Sequence, residues 1–135
     1  MKTKLTLTFI VLFLSTLFGM QELKAQKVSY YVLSTVLDDY KSDTKNRPCV
    51  SNVVKVSCND TSEGVIGQFR EFFNAYHKKK SGWNIKPTDI QAWDYDSAEK
   101  AERKRRELIA NYNSKDYYGD IYYVSDFNYI CDDKN

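Results

Sequence analysis

The sequence predicts a single α+β domain, in which a four-stranded mixed sheet packs with two amphipathic helices in the order ββαβαβ. Short segments rich in β-branched and aromatic residues alternate with two segments of helical periodicity. Each helical segment begins with the residue spacing of a capping box. No internal repeat, low-complexity tract or linker divides the chain. A small α/β arrangement, with one helix on each face of the sheet, satisfies the same pattern.

Residues 1–25 have the three-part pattern of a bacterial signal peptide. Two lysines precede a mainly apolar run of 16 residues (5–20), and a polar stretch then ends at Ala25. This run is shorter than the roughly 20 residues that cross a bilayer as a helix. We therefore expect cleavage after Ala25, and a mature domain (26–135) that is secreted or periplasmic and has no membrane span.

The charge of the mature domain limits its possible partners. The whole chain has 20 basic and 18 acidic residues, and removing the three lysines and one glutamate of the signal leaves 17 of each. Proteins that bind nucleic acids or anionic membrane surfaces normally carry an excess of basic residues. The neutral domain is therefore predicted not to bind nucleic acid.

The first two strands follow the predicted signal peptide. Residues 27–37 contain neither glycine nor proline, and apolar side chains fall on both faces of the predicted strand, which should therefore be interior. A polar loop (38–48) precedes the second strand, in which Val50, Val54, Val56 and Cys58 share a face. The connection predicts a hairpin with a long loop.

The first helix is the most strongly patterned element. Asp60 and Glu63 have the capping-box spacing, so the helix should begin there and end near Gly82, after three lysines (78–80). An aromatic stripe runs along one side of it and contains Val65, Ile66, Phe69, Phe72, Phe73 and Tyr76.

A strand, a helix and a last strand complete the predicted order. Residues 90–95 predict a short strand, and Asp96 and Glu99 repeat the capping-box spacing before a helix to about Asn113. In the last predicted strand, Tyr122, Val124 and Ile130 fall on one face. The opposite face carries Ile121, Tyr123, Phe127, Tyr129 and Cys131.

The three cysteines predict one disulfide and one leftover thiol. Cys49 and Cys58 flank one proposed strand, so they should be about 30 Å apart and unable to pair. Strand-helix-strand crossovers normally return parallel, which would bring the carboxyl ends of the second and fourth strands to the same edge. We therefore predict a disulfide between Cys58 and Cys131, with Cys49 left over.

This disulfide restricts the topology. Strands two places apart are separated by nearly 10 Å, beyond the reach of a direct bond, so the second and fourth strands should be neighbours. Two right-handed crossovers would then place the helices on opposite faces of the sheet. The alternative places both helices on one face and requires different cysteine chemistry or a non-parallel third strand.

Several residues could take part in catalysis. His77, the only histidine, or a nucleophilic Cys49 could act with a carboxylate in a small hydrolase or thiol-dependent enzyme. Asp94 and Asp96 resemble, over three residues, the acidic strand-end motif of metal-dependent phosphotransfer enzymes, but a capping role for Asp96 is the simpler interpretation. We expect neither a metal nor a cofactor.

The second helix carries a basic block (103–106) that could bind anions. Glu99 with Arg103, and Glu102 with Arg106, have the spacing of helical ion pairs. The pattern therefore favours a salt-bridged, solvent-exposed face over an anion-binding surface.

The mature chain is unusually aromatic, with 11 tyrosines, four phenylalanines and two tryptophans. Tyrosine and tryptophan give large, rigid contact areas at protein-binding and sugar-stacking surfaces. The residues predicted to form such a surface are Tyr117, Tyr118, Tyr122, Tyr123 and Trp93. The competing interpretation is that these rings only cover the sheet faces.

Three functions are compatible with the sequence. The first is a small exported, non-enzymatic module that binds another exported or envelope protein, or a glycan, through its tyrosines. The second is the small hydrolase or thiol-dependent enzyme that uses His77 or Cys49. The third is a secreted enzyme inhibitor with an exposed loop (38–48) held by Pro48.

Overall fold

The computed structural model describes residues 26–37, 45–76, 85 and 87–132. The predicted signal peptide (1–25) and His77 lie outside these residues. So do the lysines at 78–80, Gly82 and residues 38–44 of the proposed inhibitory loop.

The described elements confirm the α+β class and the predicted order, with the second strand divided in two. They are β1 (Ser29–Leu37), β2 (Arg47–Ser51), β3 (Val54–Val56), α1 (Ser62–Tyr76), a 3-10 turn (Pro87–Asp89), β4 (Gln91–Tyr95), α2 (Ala98–Asn113) and β5 (Tyr122–Val124).

Strand β1 lies in the interior of the sheet, as its two apolar faces predict. It pairs antiparallel with β2 and β3 along one edge and with β4 along the other, and β5 pairs parallel with β2. Because β2 and β4 are both antiparallel to β1, they run in the same direction as β5. The predicted parallel relation and the contact between the second and last strands are confirmed.

The two helices cover opposite faces of the sheet, which decides between the two arrangements that the sequence allows. Val65, Phe69 and Phe73 of α1 join a buried cluster with Tyr31 and Leu33 of β1. The α2 cluster contains Ala101 and Leu108, together with Val32 of β1 and Val50 of β2. Alternate side chains of β1 therefore pack against different helices, because successive residues of a strand point to opposite faces.

A bulge at Ser51 and Asn52 divides the predicted second strand. Ser34 pairs with Val50 but Tyr31 pairs with Val54, so β2 and β3 together contain one residue more than the matching part of β1. The Ser51 hydroxyl accepts a hydrogen bond of 2.9 Å from the Leu33 amide, and donates one of 2.7 Å to the Asn52 carbonyl. This side chain thus satisfies a buried amide that the interrupted ladder leaves unpaired.

The last strand is shorter than the sequence predicts. It ends at Val124. The alternation of side chains is interrupted after this residue, so Phe127 and Tyr129 lie in the same buried cluster as Val124 and the α1 phenylalanines, and not on the face of Tyr123. The Asn52 carboxamide accepts from the Phe127 amide and donates to the Phe127 carbonyl, at 3.2 and 2.9 Å. The Asn52 side chain therefore pairs with the Phe127 backbone groups that a longer last strand would have paired with a neighbouring strand.

Both helix caps lie one residue later than the capping-box spacing predicts. Thr61, not Asp60, caps α1, because its hydroxyl accepts from the Gly64 amide at 3.4 Å. Ser97, not Asp96, caps α2 and accepts from the Lys100 amide at 3.3 Å. A hydroxyl three residues before the amide makes this bond in each helix.

The predicted disulfide between Cys58 and Cys131 is present, and their α-carbons lie 6.0 Å apart. It fastens the chain beyond β5 to the loop between β3 and α1. The Gln68 carboxamide holds the same segment, because it accepts from the Ile130 amide at 3.0 Å and donates to the Ile130 carbonyl at 2.7 Å.

Candidate binding groove

Of the five aromatic residues predicted to bind, Tyr118 and Tyr123 line one concave surface beside the end of α2, and Tyr117 packs against Tyr118 at its margin. Tyr117 is 61% exposed and Tyr123 is 49% exposed, whereas Tyr118 is half-buried between neighbouring rings.

The structure places Tyr122 and Trp93 elsewhere. The Tyr122 ring faces α1, where it makes an edge contact with Phe73 at 6.2 Å, and desolvation by burial raises the pKa of its hydroxyl. Trp93 lies on β4, three strands from β5 and hence roughly 14 Å away. Its ring is half-buried, and the Lys104 ammonium lies 5.1 Å from its centre.

We name the concave surface beside these rings the tyrosine groove. It is an open depression of about 910 Å³ between the end of α2 and the starts of β2 and β5. The residues that line it are Lys45, Arg47, Tyr112, Asn113, Lys115, Asp116, Tyr118, Gly119, Asp120, Ile121 and Tyr123.

The floor of the groove depends on a close approach between two backbone segments. The Gly119 amide donates to the Asn46 carbonyl at 2.9 Å, and a β-carbon at position 119 would lie 3.1 Å from the Lys45 carbonyl oxygen. Glycine allows the turn to pass this close to the start of β2. The Arg47 guanidinium fastens the same turn by donating from Nε to the Asp120 carbonyl at 3.1 Å.

A stack of three tyrosines connects the groove to the core. The Tyr112 hydroxyl hydrogen-bonds the buried Ser34 hydroxyl at 2.7 Å. The Tyr112 ring makes an edge contact with Tyr118 at 5.2 Å, and the Tyr118 ring lies 4.5 Å from that of Tyr117. The inner ring is therefore fixed by a buried hydrogen bond, and the outer ring is open to solvent.

Charges of both signs surround these rings. Lys45, Arg47 and Lys115 bring positive charge to the groove, and Asp116 and Asp120 bring negative charge. A hydrogen bond to Tyr117 raises the pKa of Lys115, whose ammonium lies 5.7 Å from the centre of that ring. Desolvation by burial, followed by the effect of Tyr117, raises the pKa of Tyr118, so both groups keep their protons at neutral pH.

Sequence reasoning missed most of the polar residues of the groove. The predicted disulfide already implies that the second and last strands are neighbours. Their observed register pairs Cys49 with Tyr122, which brings Arg47 beside Asp120 two residues earlier. If the register of these two strands had been inferred from the disulfide, it would have predicted that Arg47 lies beside Asp120 in the groove.

The remaining candidate groups have structural explanations. The Cys49 side chain is 0% exposed, and burial raises its pKa to about 12, so it stays a neutral thiol at physiological pH. The Asp96 carboxylate contacts the Lys100 ammonium at 2.8 Å, and this hydrogen bond lowers the pKa of Asp96. Asp94 is exposed on β4.

The basic block of α2 is largely paired. Arg103 contacts Glu99 at 3.4 Å, as predicted, and Lys104 contacts Glu107 at 2.9 Å. Glu102 pairs with Arg105 at 3.3 Å instead of with Arg106, because Arg105 turns toward the sheet and donates to the Ser51 carbonyl.

Neither protein-family models, nor curated proteins, nor solved structures give a match to this chain. The geometry of the groove is therefore the basis on which its function is inferred.

Two further observations concern only the described part of the chain. Residues 26–37, 45–76, 85 and 87–132 contain no cluster of three or more His, Cys, Asp or Glu residues suited to a metal ion. Over the same ranges, neither helix is both long and apolar enough to cross a bilayer.

Proposed function

We propose that this protein is a small exported, non-enzymatic binding module whose ligand occupies the tyrosine groove. The observation that carries the proposal is the stack of Tyr112, Tyr118 and Tyr117, which is anchored at Ser34 and ends in a ring that is 61% exposed. A ring held in this way presents contact area to a ligand with little loss of side-chain freedom on binding.

The position of these rings supports binding more than core formation. The two hydrophobic clusters are built around β1 and the inner faces of the helices, and neither contains Tyr117 or Tyr123. Each of these rings leaves about half or more of its surface in water. Exposed aromatic rings grouped around a concave surface are characteristic of recognition sites.

The composition of the groove supports binding more than nucleophilic catalysis. Its lining within the described residues contains no histidine, cysteine or serine, the side chains that most often supply a nucleophile and its base. The buried Cys49 thiol lies outside it and is protonated at neutral pH. The disulfide between Cys58 and Cys131 supports export, since such bonds persist in oxidising compartments.

The test measures retention of the labelled mature protein (26–135) by envelope and culture fractions of the organism that makes it. Replacing Tyr117 and Tyr123 together by alanine removes both exposed rings. Because an important aromatic contact contributes more than about 1 kcal/mol, we expect the double variant to bind at least tenfold more weakly.

The matched control is Ile130→Ala, which removes a side chain that is 69% exposed and lies outside the groove. We expect this control to be retained like the wild type, and all variants to have the same circular dichroism. Equal retention of the double variant and the wild type would contradict the proposed site. Degradation of the retained material by the purified protein would contradict its non-enzymatic character.

A further inference from the structure

We infer that the ligand of the tyrosine groove is an uncharged oligosaccharide segment, bound with a sugar ring against the exposed tyrosines. This inference rests on the proposed function, and it narrows the ligand to one chemical class. It follows from the signs of the charges in the groove, from the lysines and aspartates of its lining and from its open shape.

The mixture of charges disfavours a polyanion. Lys45, Arg47 and Lys115 would attract phosphate or sulfate groups, but the carboxylates of Asp116 and Asp120 lie among them and would repel such groups. Tight binding of a nucleic acid or sulfated polymer requires many cations that are not opposed in this way. The groove therefore suits a ligand without net charge.

The lining also disfavours the centre of a protein-protein interface. Among the described residues, 11 line the groove and five of these are charged. The cores of protein interfaces are depleted in lysine and aspartate, which supply four of these five charges. A protein docked here would have to desolvate these lysine and aspartate side chains, which lowers the affinity that the tyrosines could give.

A neutral sugar matches both parts of the groove. Its C–H face is apolar and carries a small positive polarisation, which complements the electron-rich ring of Tyr123 in the groove and that of Tyr117 beside Tyr118 at its margin. Its hydroxyls both donate and accept, so they can donate to the carboxylates of Asp116 and Asp120 and accept from the lysines.

The shape of the groove indicates an extended ligand. The 910 Å³ space is largely open to solvent and is not an enclosed cavity. Small-molecule sites of this volume usually enclose most of their ligand. An open polar groove instead suits a segment of a polymer whose chain continues on either side.

The experiment uses the envelope or culture fraction that retains the mature protein. One portion is digested with proteinase K, and another is treated with periodate, which cleaves vicinal diols in sugars. We expect retention to survive the protease and to disappear after periodate. We also expect it to change less than twofold between 50 and 500 mM NaCl, because uncharged ligands release few counterions.

A variant with Asp116→Asn and Asp120→Asn distinguishes sugars from anions. It removes two charged acceptors for sugar hydroxyls, so retention should fall at least tenfold. Binding to an anion should instead become tighter, because two negative charges have been removed. Asp132→Asn, which changes an exposed carboxylate outside the groove, is the matched control and should bind like the wild type.

Each contrary result has a distinct meaning. Retention that depends on Tyr117 and Tyr123, is lost to proteinase K and survives periodate would identify a protein ligand, and would overturn the sugar inference alone. The same would be true of retention that weakens with salt and strengthens in the double asparagine variant, which would identify an anion. Retention that ignores both tyrosines would overturn the proposed function and the sugar inference together.

Discussion

Removing the disulfide should destabilise the protein mainly through its unfolded state. Cys58 and Cys131 are 73 residues apart in the sequence, and the chain-entropy model gives a stabilisation of about 4.4 kcal/mol for a closed loop of this length. Asn52 and Gln68 bind the same segment with two carboxamide hydrogen bonds each, so the folded variant should keep its C-terminal contacts. The loss should therefore appear as greater freedom of the unfolded chain.

The assay is urea unfolding of a variant with Cys58→Ser and Cys131→Ser, beside the oxidised and the reduced wild type. A loss of about 4.4 kcal/mol lowers the midpoint by roughly 2 to 4 M urea for m values of about 1 to 2 kcal/mol/M. The m value should rise, because the released chain exposes more surface when unfolded. A loss below about 1 kcal/mol with an unchanged m value would show that the disulfide does not stabilise the protein by restricting its unfolded chain. The reduced wild type should match the variant.

Three further predictions concern the core and α1. Asn52→Ala should lower the free energy of unfolding, measured in urea, by about 2 to 3 kcal/mol, because the buried amide and carbonyl of Phe127 lose their partner. A decrease of less than about 0.5 kcal/mol would contradict this role of Asn52. Cys49, whose pKa is raised to about 12 by burial, should resist a maleimide at pH 8 in the folded protein and react fully in urea; rapid labelling when folded would contradict its burial. Gly67→Ala should stabilise α1 by about 1 kcal/mol in thermal unfolding, since nothing lies within 4 Å of its added β-carbon. Gly64→Ala should gain less, because its β-carbon would meet a carboxylate oxygen at 2.6 Å, and an equal gain would show that this contact costs nothing.

The topology could be predicted from the sequence because one covalent constraint acts over a long distance. Placing Cys49 and Cys58 at the two ends of one strand excludes a bond between them, and the parallel return of the strand-helix-strand crossovers then selects Cys58 with Cys131. That pair requires the second and last strands to be neighbours, and the neighbouring strands require helices on both faces. Each step uses a distance much larger than the uncertainty in where an element begins or ends.

Local details were harder to predict because competing hydrogen bonds of similar strength decide them. Asp60 and Thr61 are both good helix caps, and a difference of one residue changes little in free energy. The bulge depends on the Ser51 hydroxyl reaching the Leu33 amide, a contact between residues 18 apart in the sequence. No periodicity within one strand reveals such a partner.

The candidate site shows the same division between local pattern and three-dimensional placement. An excess of tyrosine indicated Tyr117, Tyr118 and Tyr123, but it also indicated Tyr122, which alternation along β5 places on the face toward α1. Trp93 has the right chemistry on the wrong edge of the sheet. The aspartates and lysines of the groove resemble ordinary surface charge in the sequence, and only the pairing of β2 with β5 brings them together.

Mapping the bound ligand by NMR shows directly whether the tyrosine groove binds a glycan. The ¹⁵N-labelled mature protein (26–135) is titrated with glycan released from the retaining fraction, and perturbed backbone amides are assigned. We expect the perturbed amides to cluster at Lys45 to Arg47 and at Tyr112 to Tyr123, and the Tyr117 and Tyr123 double alanine variant to need at least tenfold more glycan for the same shifts. Perturbations centred instead on the edge strand β4 (Gln91–Tyr95), unchanged in that variant, would contradict the proposed site.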